Sequence, residues 1–281
     1  VACLPLTAAD LVIVMSVAEL SSTTAHRLRR RQGEDLDVLL RAAWASERAA
    51  ARKTVDDAGD ALGTWETPVR QVVRSGPVVE AIEAASRELR TDLLVVGARG
   101  RGALARLFVG SVAQALLGRV ACPVVVARPP VGAPLRVVLA VDGSPHGLEA
   151  ARRLAAYPLA AEACVTVAAV APAADSRGRS TAGVNAAEAA EILEAAGHTA
   201  GVVVRAGHPG REIVALAGAV DADLVAVGSR GLGGAQGFLL GSVSRHVVSH
   251  APCSVLVAPP PGTREQSTPD TTGDPPNHPS G

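Results

Sequence analysis

The chain has 281 residues, enough for one or two domains with separate cores. Hydrophobic residues make up 48% but aromatics only 2%, so the core must come from Ala, Val and Leu, as in sheets covered by Ala-rich helices. Lys plus Arg and Asp plus Glu number 27 each, which gives no case for nucleic acid or an anionic membrane as partner, and no apolar run approaches a membrane span.

In chain order, Leu11 to Val17 reads as a strand. The basic cluster Arg27, Arg29, Arg30 and Arg31, followed at once by Glu34, Asp35 and Asp37, reads as a solvated loop leading into a helix over Glu34–Asp57. A short apolar run, Leu93 to Val96, then precedes Gly97-x2-Gly100-x9-Gly110-Ser111 and a helix. Residues 1–130 form a first unit and 131–134 a linker. Val137 to Val141 is a continuous β-branched run, the mark of a parallel strand buried on both faces. Asp142-Gly143-Ser144-Pro145 turns the chain, with Ser144 as N-cap and Pro145 as first residue of a helix running to about Tyr157. Strands follow at Cys164–Val170, Val202–Arg205, Asp223–Val227 and Ser254–Ala258. Helices lie near Ala186–Ala196, at Arg211–Ala219, and from Ser242 to about His250. Alternation of this kind predicts an α/β, parallel, doubly wound sheet in a unit spanning 135–260. Residues 261–281, rich in Pro, Thr, Asp and Gly, read as a disordered tail.

The glycine spacing recurs as Gly228-x2-Gly231-x9-Gly241-Ser242, 131 residues after the first copy. Aligning Asp92–Pro130 with Asp223–Pro261 gives 16 identities in 39 positions, so the chain is a duplicated domain. Glycines after a strand let backbone N–H groups crowd a phosphate, and each Gly-Ser pair opens a helix whose N-terminus favours negative charge. The plainer readings are a turn with close helix packing, Ser111 and Ser242 as N-caps, and Asp142 bonding its own turn. Upstream the offset becomes 153, so 22 extra residues separate strands two and three of the first copy, most of them lengthening its helix. A counterpart of Val137–Ala156 is absent from the first copy, which would leave two strands with unpaired edges and make that copy unstable alone. Val1 in place of Met fits a fragment or a GTG start codon translated literally.

Cys3, Cys122, Cys164 and Cys253 show no C-x-x-C spacing, so neither zinc nor a redox pair is indicated, and Cys122 and Cys253 read as small hydrophobes entering buried strands. His246 and His250 are four apart but have no third ligand near in sequence, and read as helix-surface residues. There is no G-x-x-x-x-G-K-[ST], no nucleophile elbow and no G-x-G-x-x-G at a first strand–helix turn, which favours binding over catalysis. Nothing at the N-terminus resembles a signal peptide, so a cytoplasmic location is expected.

Both glycine patterns, together with the Val141–Pro145 turn, resemble the universal stress protein family in its tandem-domain form. The spacing G-x2-G-x9-G-[S/T] is that family's ATP-binding signature. The resemblance implies a Rossmann-like five-stranded parallel sheet in each complete domain, ATP at the carboxyl ends of the strands, and Mg2+ accompanying the phosphates. It implies that Asp142 sits at the adenine–ribose end, with Val141 and backbone around Val170 in the adenine pocket. Gly228, Arg230, Gly231, Gly241, Ser242 and Val243 would surround the phosphates. In the first half only the phosphate side has counterparts, namely Gly97, Arg99, Gly100, Gly110, Ser111 and Val112. It further implies an intramolecular pseudo-dimer through the last strands, Val124–Ala127 and Ser254–Ala258, with a homodimer of whole chains as a further partner. The expected role is regulation or sensing in stress response without catalysis; the alternatives are a slow ATPase or nucleotidyl-transferring enzyme and a nucleotide-free interaction scaffold.

Overall fold

A computed structural model describes residues 6–20, 36–63, 66–98, 109–129, 135–160, 162–173, 176–231 and 240–262. Strand β1 (Val12–Ala18), helix α1 (Leu36–Leu62), β2 (Val69–Ser75), α2 (Val78–Glu88), β3 (Leu94–Gly97), α3 (Ser111–Leu116) and β4 (Val124–Ala127) make up the first half. The second half comprises β5 (Arg136–Val141), α4 (Pro145–Ala155), β6 (Cys164–Ala171), α5 (Ser176–Ala195), β7 (Ala200–Ala206), α6 (Pro209–Ala219), β8 (Leu224–Gly228), α7 (Ser242–His250) and β9 (Ser254–Ala258).

The continuous apolar runs become buried strands. Val137, Val138, Leu139, Val167, Val225 and Val255 are each at most 1% exposed, because helices cover both faces of the sheet. One face packs on α6 and α7 through Ile213, Leu216, Val247 and Val248. The other packs on α4 and α5 through Ala150, Leu154, Ala186, Ala189 and Leu193. Alanine dominates the helix faces, so helices approach closely without aromatic filling. The second-half strands run β9-β8-β5-β6-β7, a five-stranded parallel, doubly wound α/β sheet. Its order reverses between β5 and β8, which opens a crevice at their carboxyl ends.

The first half is divided. Strands β1 and β2 form a parallel pair of their own, whereas β3 and β4 extend the large sheet, giving the seven-stranded order β3-β4-β9-β8-β5-β6-β7. Helix α2 touches β1, β2 and α3 and bridges the two parts. The halves join where β4 runs antiparallel to β9, pairing Val124 with Val257, Val125 with Leu256 and Val126 with Val255. Val125 and Leu256 are also repeat counterparts, so a local two-fold passes through that pair, as in an isologous dimer contact. Arg128 breaks this symmetry. Its guanidinium donates to the Cys253 and Val248 carbonyls at 3.0 and 2.6 Å, and its N–H to Ser254 Oγ at 3.0 Å. The symmetric bonds cannot form, because the counterparts of Arg128 and Ser254 are Pro259 and Pro123.

Two expectations need correction. Helix α5 starts at Ser176, ten residues before Ala186: the stretch 176–185 is rich in Gly, Ser and Arg and has weak intrinsic preference, yet its packing over the sheet holds it helical. Helix α1 has 27 residues against 20 in α5, a lengthening of seven, and residues 21–35 before it lie outside the described residues. The N-caps of α3 and α7 are Gly110 and Gly241, in extended conformation without a side-chain cap bond, and each serine is the first helical residue. The expectation for Ser144 stands: its hydroxyl accepts the Gly147 N–H at 3.1 Å, with Pro145 at the first helical position. The basic cluster at 27–31, the linker 131–134 and tail residues 263–281 lie outside the described residues.

Candidate functional site

A cavity of about 680 Å³ opens at the carboxyl ends of β5, β6 and β8. Val141, Asp142, Val170, Gly228, Arg230, Gly231, Gly241, Ser242 and Val243, the nine second-half residues singled out from sequence, all line it. They come from three strand ends, the connection after β8 and the first turn of α7. The doubly wound order brings these segments together.

Asp142 ends β5 and does two things at once. Its Oδ1 accepts the Ser144 N–H at 3.0 Å, the Asx turn of the plainer reading. Its Oδ2 faces Gly231, where an added Cβ would collide with it. The turn is fixed from behind by Asn185 of α5, which donates from Nδ2 to the Asp142 carbonyl at 3.2 Å. Gly143 has φ +79 and lies against the same Asn185 side chain, so glycine is required there on both counts.

The glycines after β8 serve close approach. A Cβ on Gly228 would enter the His146 carbonyl at the start of α4, and one on Gly241 would lie 3.2 Å from Arg230 Cα. The connection returns on itself through Gly241 N–H to Ser229 carbonyl at 2.8 Å, and Ser244 Oγ ties α7 to the Gly228 carbonyl at 2.6 Å. The opening turn of α7 therefore presents backbone N–H groups at the cavity with no side chain capping them, the arrangement that suits an anion.

On the opposite wall, peptide direction matters. Cys164 N–H bonds Leu135 across to β5, and Val165 N–H bonds Thr199 across to β7. This alternation turns the Val170 peptide groups toward β5, one residue beyond the last β5–β6 pair, Val141 with Ala169. Val170 lines the cavity at that strand end.

Charge is asymmetric. Arg177 and Arg230 are the lining cations, and Asp142 is the one lining carboxylate among the described residues. His146 stands just behind, its Nδ1 3.2 Å from Ser229 Oγ. Burial, and then the charge of Arg230, hold its pKa below the usual histidine value, against the opposite pull of Asp142 and Glu149. Sequence reading missed Gly147, Arg177, Thr181, Asn185, Pro209, Ile213 and Ser244 as lining residues. The i, i+4, i+8 spacing of Arg177, Thr181 and Asn185 was the available signal, hidden by placing the helix start too late.

In the first half the same backbone frame recurs. Gly110 N–H bonds the Ala98 carbonyl at 2.8 Å, as Gly241 bonds Ser229, and Ala98 N–H bonds Ala127 at 2.9 Å, as Ser229 bonds Ala258 at 3.0 Å. Gly97 ends β3, with Gly110, Ser111 and Val112 at the start of α3. Arg99 and Gly100 lie outside the described residues, and none of the described first-half elements stands where Asp142 would. The histidine pair sits on α7, with His246 stacked on His250 at 4.1 Å between centroids, and among the described residues no three metal-binding side chains cluster.

The family profile described as Universal stress protein family matches residues 6–128 and 135–259. A universal stress protein of Mycobacterium tuberculosis (strain H37Rv) is 33% identical over 208 residues, covering 67% of this chain and 68% of that one. Among solved structures, a universal stress protein from Archaeoglobus fulgidus DSM 4304 superposes with TM-score 0.64 at 19% identity, covering 89% of this chain and 88% of that one. A family protein from Arabidopsis thaliana, solved with AMP bound, is 21% identical with TM-score 0.35, covering 49% of this chain and 98% of that one. With its profile matched in both halves, the chain belongs to the universal stress protein family.

Proposed function

We propose that the chain is an ATP-binding regulatory or sensing module of a cytoplasmic stress response, with one competent nucleotide site, built by its second half. The observation that carries the reading is the convergence of an Asx-turn carboxylate, the Val170 strand end and an uncapped helix start on one cavity. These groups fit ATP. The N-terminal turn of α7 with Gly231, Gly241 and Ser242 would hold the phosphates, Asp142 the ribose hydroxyls, and the Val170 peptide the adenine edge. ATP would supply a polyanion whose presence or loss biases the α7 start and the Asp142 turn.

Two lining arginines against one carboxylate favour a polyanion. Mg2+ would take its ligands from phosphate oxygens and water, with Asp142 the one lining carboxylate among the described residues to join them. The residues that face the cavity bind and orient; His146, the nearest candidate base, is engaged with Ser229 behind the wall. Binding without multiple turnover is the expected behaviour. Among the described residues no helix is long and apolar enough to cross a membrane.

Titration calorimetry with ATP tests the reading. Gly241→Val combined with Gly231→Val should abolish measurable binding, because the new side chains meet Arg230 and Asp142 in the cradle. Unchanged affinity overturns the site. Steady phosphate release that this variant abolishes would overturn the non-enzymatic reading.

A further inference from the structure

Strand β7 closes the large sheet at one end, and among the described residues no strand pairs with its outer edge. Its inner side is fixed. Val165 N–H bonds the Thr199 carbonyl and Gly207 N–H the Ala171 carbonyl, so the odd-numbered peptides of β7 face β6. The peptides of Ala200, Val202, Val204 and Ala206 therefore point outward, away from the sheet.

The side chains along this edge are apolar. Val204 lies against α5, where a Cβ added to Gly183 would meet its Cγ2 at 3.9 Å, and the two-residue period of a strand puts Val202 on the same face. Val184 follows Gly183 on that helix. Among the described second-half residues, the large hydrophobics left exposed are these three, Val184 at 65%, Val202 at 44% and Val204 at 37%. The corresponding strand of the first half differs in kind: 131 residues earlier, Arg70 and Gln71 of β2 stand where β7 has Gly201 and Val202. Charge is a usual device that keeps a sheet edge from pairing, and β7 carries none before Arg205.

We propose that β7 is the contact through which two copies of this chain associate, edge to edge and antiparallel, about a two-fold axis at Val203. The register follows from the strand itself. With the axis at Val203 all seven residues pair: Val202 with Val204, Ala200 with Ala206 and Gly201 with Arg205 of the second copy. The outward peptides then meet one another in the hydrogen-bonded pairs, and Val203 meets its own copy in a non-hydrogen-bonded pair. The exposed valines of the two copies cover each other on the α5 face. Arg205, the single charge of the strand, falls opposite Gly201, where a side chain finds open space. An axis one residue later leaves Ala200 and Gly201 unpaired, and two residues later it sets Arg205 against itself. The chain already uses this mode internally, since β4 and β9 join its halves antiparallel.

The test is sedimentation velocity of the full chain over a concentration series, with amide-resolved hydrogen exchange. A reversible monomer–dimer equilibrium is expected. Exchange at Ala200, Val202, Val204 and Ala206 should slow as concentration rises, while Val203 and Arg205, already bonded to β6, stay unchanged. A Val202→Lys, Val204→Lys variant sets like charges opposite each other and should associate at least about tenfold more weakly. Both positions are exposed in the single chain, so this variant should keep its cooperative thermal unfolding. Mixing it with a Val202→Glu, Val204→Glu variant should restore a mixed dimer. A chain that stays monomeric, a dimer untouched by the lysines, failure of the mixture to pair, or slowed exchange confined to other segments overturns the proposal. So does protection of the outward amides that does not change with concentration, which would make another part of the same chain the occupant. Nucleotide takes no part in the readout, so failure of the ATP reading leaves the proposal standing.

Discussion

At the scale of single residues, the duplication reaches backbone conformation. Arg90 and Asp221 are repeat counterparts, and both hold left-handed φ, 49 and 46, just after α2 and α6. A left-handed non-glycine residue costs roughly 1–2 kcal/mol, and glycine loses part of that gain to unfolded-chain entropy. Arg90→Gly should therefore raise stability by about 0.5–1 kcal/mol in denaturant titration, and Asp221→Gly by less, since Asp tolerates this region better. Cysteine chemistry follows burial. Cys122 and Cys253 are 4% and 1% exposed, and burial pushes the Cys253 thiol up to about 11. Alkylation of the native chain should mark Cys164, which is exposed, and spare both, as read by peptide mass mapping. Part of this scale was legible in sequence: Ser144 and Pro145 stand where the turn pattern put them, and the nine second-half residues that the family resemblance pointed to line one cavity. The dual use of Asp142 was not, because one carboxylate in an Asx turn looks the same in sequence whether or not its second oxygen borders a cavity.

At the scale of elements, the strands were readable because β-branched apolar runs admit few alternatives, and Ser242–His250 and Ser254–Ala258 emerge with the expected bounds. Helix α5 was misread at its start because polar residues that line a cavity lack the apolar period that marks a helix against a core. Helix packing also carries a pH response. His246 of α7 lies 6.1 Å from His208 and stacks on His250, with Arg211 as a further cation. Burial first, then His250, His208 and Arg211, hold its pKa below 6.5, and His146 is lowered as well. Below pH 6.5 the unfolded chain binds protons that these folded histidines resist, so stability is full above 6.5 and falls as pH drops beneath it. Thermal melts between pH 7.5 and 5 should show this decline, and His246→Gln should flatten it.

At the scale of the whole molecule, the β4–β9 contact makes one sheet from two halves. Truncating Arg128 removes two charge-assisted bonds to carbonyls, one at the end of α7, and Arg128→Ala should cost about 1–3 kcal/mol in thermal or denaturant unfolding. The divided first half has its β3–β4 pair anchored on β9, so residues 1–130 alone should lack a cooperative transition of full-domain size in calorimetry. The duplication was plain from the repeated glycines, but their equal spacing conceals unequal surroundings. The Gly228–Ser242 segment faces Asp142 and the Val170 peptide across a cavity, and the Gly97–Ser111 segment has neither opposite it among the described residues. Native mass spectrometry of the full chain at saturating ATP separates these cases most directly. One ATP per chain, lost in the Gly231→Val, Gly241→Val variant, is the predicted result; no bound ATP, or two, would contradict a single competent site in the second half.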